Sequence, residues 1–207
     1  MRSKRMRLAV GIFAAAVTAL VGNAAASAAD LDADDVEVKV KIGPLSSDGT
    51  LAMTIAGTSE ELLEDGTDAI RRQFKGTLPT VTVTDDRDPD DVDPDAFWAV
   101  MGVATDFVGD AAQPNIPAAN FGWSPDIVGD DADGMVVVGG DVATAIDNPS
   151  NAGLGYAPRE LLFMADNSAD LIGEGETWQA SADLILHTPL NVAQGEYTSQ
   201  LTLTLME

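Results

Sequence analysis

Gly195-Glu-Tyr-Thr-Ser-Gln-Leu-Thr-Leu-Thr-Leu-Met-Glu207 alternates residue by residue to the end of the chain. Tyr197, Ser199, Leu201, Leu203 and Leu205 share one face, and Thr198, Gln200, Thr202 and Thr204 the other. Successive strand side chains point to opposite faces, so this stretch writes one apolar face and one hydroxyl-rich face. It predicts a C-terminus held in a sheet, with no membrane tail behind it. The same period recurs upstream. Residues 50–56 alternate through Leu51, Met53 and Ile55, residues 80–84 read Thr-Val-Thr-Val-Thr, and residues 178–187 alternate from Trp178 to Leu186. Apolar runs at 97–103, 135–138 and 160–165 add further strands. Residues 36–42 predict a first strand, joined to 50–56 as a hairpin across Gly43-Pro44 and a Ser-Ser-Asp-Gly turn. Residues 58–64 open like a capping box and predict one short helical turn. Residues 109–151, rich in Gly, Pro, Asn and Asp, read as loop around Met135-Val-Val-Val138. Seven or eight short strands with almost no helical period predict an all-β fold, a single-domain antiparallel β-sandwich.

Residues 1–28 are expected to be removed rather than folded. Arg2, Lys4, Arg5 and Arg7 precede an apolar stretch from Leu8 to Val21, and Ala26-Ser27-Ala28 supplies small residues at a cleavage site. Together these describe a secretory signal peptide. The apolar core is about fourteen residues, short of the ~20 that a spanning helix needs. The reading is therefore a secreted chain of residues 29–207, with no stable membrane insertion after cleavage.

Removing the leader leaves seven basic residues against 34 acidic ones, a formal −27. Such a surface repels nucleic acid and anionic lipid, which need basic patches. It suits high salt or divalent cations, which screen or bridge carboxylates. The chain has no cysteine, so an oxidising compartment offers it no disulfide.

Three ordered segments carry a resemblance. They are Gly76-Thr-Leu-Pro-Thr-Val-Thr-Val-Thr-Asp-Asp-Arg87 with Phe97-Trp-Ala-Val100 and Thr105-Asp-Phe107, then Ile116-Pro-Ala-Ala-Asn-Phe-Gly-Trp-Ser-Pro125, then Ala182-Asp-Leu-Ile-Leu-His-Thr-Pro189 with Gly195-Glu-Tyr197 and Leu201-Thr-Leu-Thr-Leu205. The set resembles the WxL domain family of Gram-positive cell-surface proteins over residues 74–207. The internal Trp-x-Leu copy stands here as Trp98-Ala99-Val100. In the terminal copy Tyr197, Leu201, Thr202 and Leu205 match, and Leu203 replaces the second signature tryptophan. The resemblance implies an exported β-sandwich that associates non-covalently with cell wall peptidoglycan, and the overall reading is a non-catalytic protein that adheres to the wall or to a partner surface protein. It makes Trp98, Val100, Tyr197, Leu203 and Leu205 candidate binding residues. Trp123, in a Gly-Trp-Ser-Pro stretch, joins them as an aromatic that a loop would expose. For each tryptophan the competing expectation is burial, since an indole buries a large area.

Asp86, Asp88 and Asp90 in one acidic run, and Asp131 and Asp133 in another, are candidate calcium ligands, because calcium takes clustered carboxylate oxygens. Solvated loop acid is the alternative at both places. Arg87, the only cation of the first run, is expected to neutralise Asp85 or Asp86. The sole histidine, His187, lies on a predicted strand with no Gly-x-Ser-x-Gly turn in the chain, and a structural role is expected. Two other functions stay open: a small jelly-roll hydrolase acting on extracellular polysaccharide, and an assembly subunit whose terminal strand pairs with another chain.

Overall fold

One strand organises the larger sheet. In the computed structural model, which describes residues 49–150, 153–155, 159–172 and 177–207, the run from Thr177 to Pro189 is a 13-residue strand. In chain order the strands are β1 (Leu51–Ile55), β2 (Leu63–Glu64), β3 (Arg71–Thr77), β4 (Val81–Asp85), β5 (Trp98–Ala104), β6 (Val108–Gly109), β7 (Phe121–Ile127), β8 (Val136–Val138), β9 (Glu160–Ala165), β10 (Thr177–Pro189), β11 (Tyr197–Thr198) and β12 (Leu201–Met206), with a short helix α1 (Ser168–Ile172). The leader and the strand expected at 36–42, with its hairpin, lie outside the described residues.

All pairings are antiparallel. β10 takes β7 along one edge, and β3 followed by β4 along the other. β3 and β4 form one strand line interrupted at Leu78-Pro79-Thr80, where the register against β10 slips by one residue. The break is placed by Pro79, which has no N–H for a ladder. Its polar groups stay satisfied: Leu78 N–H donates to the Ala182 carbonyl at 2.9 Å, and the Ser181 hydroxyl donates to the Leu78 carbonyl at 2.6 Å. β1 flanks β4 and β2 flanks β3. The second sheet has the order β12-β5-β9-β8, and β11 pairs with β6 as a small separate ribbon. Within the described residues β12 is paired on one side only, so the C-terminal strand is half-buried rather than central.

Two expectations change. Residues 58–64 form no helical turn; Leu63 and Glu64 pair with β3 instead, and Leu62 packs on the core. Residues 121–127 are strand, not loop. Pro125 is tolerated there because β7 borders the sheet, with only an isolated Trp123–Val142 bridge beyond it among the described residues.

The even-numbered side chains of β10 from Trp178 to Leu186 are all buried, and they meet the inner face of the second sheet in one core. Trp98 packs edge-on against Phe163 with centroids 5.2 Å apart and an interplanar angle of 77°. Trp123 crosses between the sheets and lies over Gly102, where an added Cβ would stand 2.4 Å from its Cη2. The indole N–H groups of Trp98, Trp123 and Trp178 meet no acceptor. Each of these rings is therefore held by packing alone.

A buried ion pair ties β4 to the second sheet. Asp85, 1 % exposed, receives both Nε (2.7 Å) and Nη2 (2.8 Å) of Arg87. Ser168, at the start of α1, donates to Asp85 Oδ2 at 2.5 Å and accepts from Arg87 at 2.9 Å. Arg87 also reaches the carboxylate of Glu207 beyond β12. The Asp85 carboxylate, helped by Glu207, holds the guanidinium pKa above its usual value against the desolvation that opposes it. Removing one partner of such a pair strands the other charge, so Asp85→Ala is expected to lose about 3–5 kcal/mol in urea unfolding. The double variant Asp85→Leu with Arg87→Met should lose much less, while Glu207→Gln, at an exposed carboxylate, should lose under about 1 kcal/mol.

Candidate functional site

The second sheet turns an uncharged face outward. Residues paired across an antiparallel ladder share a face. The ladders align Met206 with Ala99, Met164 and Val137 in one row, Thr204 with Met101 and Leu161 in the next, and Thr202 with Val103 in the third. Their neighbours of opposite parity, including Trp98, Val100, Phe163, Ala165 and Val136, belong to the core, to which none of the nine outward residues belongs. An extra residue in β9 puts both Leu162 and Phe163 inward opposite Val100 and returns Leu161 to the outer face. Val137 and Met206 are 39 % exposed, Thr202 is exposed, and only Ala99 is covered, between longer neighbours. A charge-free surface is out of keeping with a chain of 34 acidic residues, and contiguous apolar surface marks interaction sites.

The candidate binding residues fall mainly beneath this face. Trp98 and Val100 are fully buried and Trp123 is 1 % exposed, so these three present no surface to a ligand. Leu203 and Leu205 are half-buried and pack inward from β12. Tyr197 packs against the core from β11, and its hydroxyl donates to the Ala193 carbonyl at 2.9 Å. The structure does bring four of the six together. Leu205 is opposite Val100, Leu203 is opposite Gly102, and the Trp123 ring lies over Gly102. What the sequence reading missed was the opposite parity, Ala99, Met101 and Val103 with Thr202 and Thr204. The alternation of β12 held the only clue.

The five candidate calcium ligands are exposed, and among the described residues no three Asp, Glu or His side chains converge on a point. Asp86 accepts from the backbone N–H of Thr50 and, at 3.1 Å, from its hydroxyl, and these bonds lower its pKa. Asp88 caps a turn by accepting from Asp90 N–H at 3.0 Å. Both carboxylates are committed to shaping the loop.

His187 lies on the outer face of the larger sheet, beneath the loop that contains Thr144 and Asp147, and is 2 % exposed. Its Nδ1 is 3.1 Å from Thr144 Oγ1 and 2.8 Å from Asp147 Oδ2, and its Nε2 is 2.7 Å from Gln73 Oε1. Gln73 is oriented by its own Nε2, which donates to the Asp65 carbonyl at 2.8 Å, so His187 Nε2 carries a proton. A catalytic triad would need the hydroxyl and the carboxylate on opposite ring nitrogens. Here both crowd Nδ1, and Thr144 is fully buried. The cluster holds the loop onto the sheet. Alongside it an open cleft of about 550 Å³ is lined by Lys75, Thr77, Ser124, Asp141, Asp183 and Ile185. Its polar groups are already paired in part, with Ser124 donating to Asp141 at 2.5 Å and Lys75 lying 3.1 Å from Asp65.

Compared with known proteins, the chain matches no family model, no curated protein and no solved structure.

Burial, followed by the nearby Arg71 charge, lowers the pKa of His187, and Asp68 pulls the other way. Arg71 also forms an ion pair with Asp147. The folded state then binds fewer protons than the unfolded one, so His187 should favour folding above the ordinary value of about 6.5 and oppose it as pH falls below. Urea unfolding from pH 8 to 5 should show wild type losing more stability than His187→Gln. Identical slopes would contradict the assignment.

Proposed function

We propose that this protein is an exported, non-catalytic surface protein of WxL-like type that holds non-covalently to the cell wall, on peptidoglycan or a protein seated there. The adhesive element is the charge-free outer face of the β12-β5-β9-β8 sheet. One observation carries the reading: on a chain of formal charge −27 after its leader, nine contiguous outward side chains hold no charge. A wall rich in anionic polymer repels the molecule as a whole. At physiological salt the repulsion decays over about 8 Å, so contact through an uncharged face avoids most of it. Three methionines give that face adaptable apolar contacts, and Thr202 and Thr204 give it hydroxyls.

The test is a pull-down on isolated walls, either untreated or stripped of protein. Binding to both favours peptidoglycan, and binding to untreated walls alone favours a surface partner. Thr202→Glu and Val137→Glu, at exposed sites off the core, should leave the melting temperature unchanged. Each should weaken binding by roughly tenfold or more, as expected for a desolvated, unpaired carboxylate. A chelator should leave binding intact. Loss of binding in chelator would move the adhesive role to cation-bridged acidic loops, absence of binding to either wall would end the reading, and release of reducing sugar would favour a hydrolase.

A further inference from the structure

Five methionines lie outside the leader, and three of them, Met101, Met164 and Met206, stand on the outer face of the second sheet. Met206 and Met164 flank Ala99 in one cross-strand row, and Met101 occupies the next row beside Thr204 and Leu161. Met206 is 39 % exposed, and Met101 and Met164 are half-buried without belonging to the core. The other two, Met53 and Met135, are also half-buried but pack against the core. A thioether that a peroxide can reach is oxidised to a sulfoxide, which is polar, chiral and reversible by reductases. The chain contains no cysteine thiol to compete for the oxidant.

We propose that Met101, Met164 and Met206 form an oxidation-sensitive patch, a modification site at which extracellular peroxide switches off the adhesive face. The sulfur lone pair attacks one oxygen of hydrogen peroxide, an S–O bond forms as the O–O bond breaks, and the released hydroxide takes the proton from the new S–OH group and leaves as water, giving the sulfoxide. Sulfur is oxidised by two electrons and peroxide is reduced by two. Three S=O dipoles then stand on a surface that had held no charge and only two hydroxyls. A partner that docks there must desolvate them without offering donors at those points. The three outer sulfoxides stand off the core, so the fold outlasts the change. The switch rests on the adhesive reading of this face; the order of oxidation does not.

Purified full chain is treated with graded hydrogen peroxide and analysed by peptide mass spectrometry, melting and wall pull-down. Met206, the most exposed, should gain 16 Da first, and Met101 and Met164 should follow ahead of Met53 and Met135, whose side chains pack on the core. Wall binding should fall about tenfold as the three outer sulfoxides accumulate, before the melting temperature moves, and a methionine sulfoxide reductase should restore it. The triple variant Met101→Leu, Met164→Leu, Met206→Leu removes the oxidisable sulfurs, so whatever wall binding it keeps should be the same with and without peroxide. Faster oxidation of Met53 or Met135 would overturn the patch. Unchanged binding after all three are oxidised would overturn the switch. If untreated protein fails to bind walls, the adhesive reading and the switch fail together, and the order of oxidation still decides the patch.

Discussion

The architecture depends on the antiparallel pairing of β10 with β7 on one side and with the β3–β4 line on the other. A strand of 13 residues pleats regularly enough to present Trp178, Ala180, Ala182, Leu184 and Leu186 to the core in a row. The opposite parity carries Gln179, Ser181, Asp183 and His187 to the other face, where polar partners are in reach. Gln179 meets Thr82, Ser181 satisfies the break at Leu78, and His187 anchors the loop through Thr144. The small alanines in the middle of the core row leave room for large side chains from the facing sheet, of which Trp98 and Phe163 are the bulkiest.

The two sheets use their outer faces differently. The larger one is wetted by charged and amide side chains, with Arg71, Gln73 and Lys75 in succession along β3. The smaller one carries methionine, valine, leucine and threonine and no ionised group. Its charges gather at the ends of strands, where Glu207 is taken up by Arg87, and in loops, where Asp88 and Asp86 shape the turns. An acidic coat keeps such a molecule soluble and apart from polyanions. Among the described residues, the outer face of the smaller sheet is an uncharged patch in that coat.

Most of the strands were legible because their faces differ in polarity. The alternation at 50–56, 80–84, 178–187 and 197–205 marks β1, β4, β10 and the β11–β12 end of the chain, and the apolar runs mark β5, β8 and β9. β3 was illegible. Arg71-Arg-Gln-Phe-Lys-Gly-Thr77 has charged residues on both parities, and it is a strand because β10, and over two residues β2, offer it a ladder. β7 was read as loop from Gly122 and Pro125, two residues that a border strand accommodates. Of the site, the tryptophans stand out in the sequence by their type, and their size sends them inward. The outward face is made of residues that look ordinary one by one, and only pairing three strands side by side makes them contiguous. The short helix α1 had no periodic signal in five residues.

Carbene footprinting of the protein, free and bound to isolated walls, tests the adhesive face most directly. Labelling at Met101, Val103, Val137, Leu161 and Thr202 should fall on binding, while Ile55 and Leu63, exposed on the larger sheet, keep their full labelling. Protection at the 141–143 loop or at the acidic turns, with β5 and β12 labelled as in the free protein, would contradict the account.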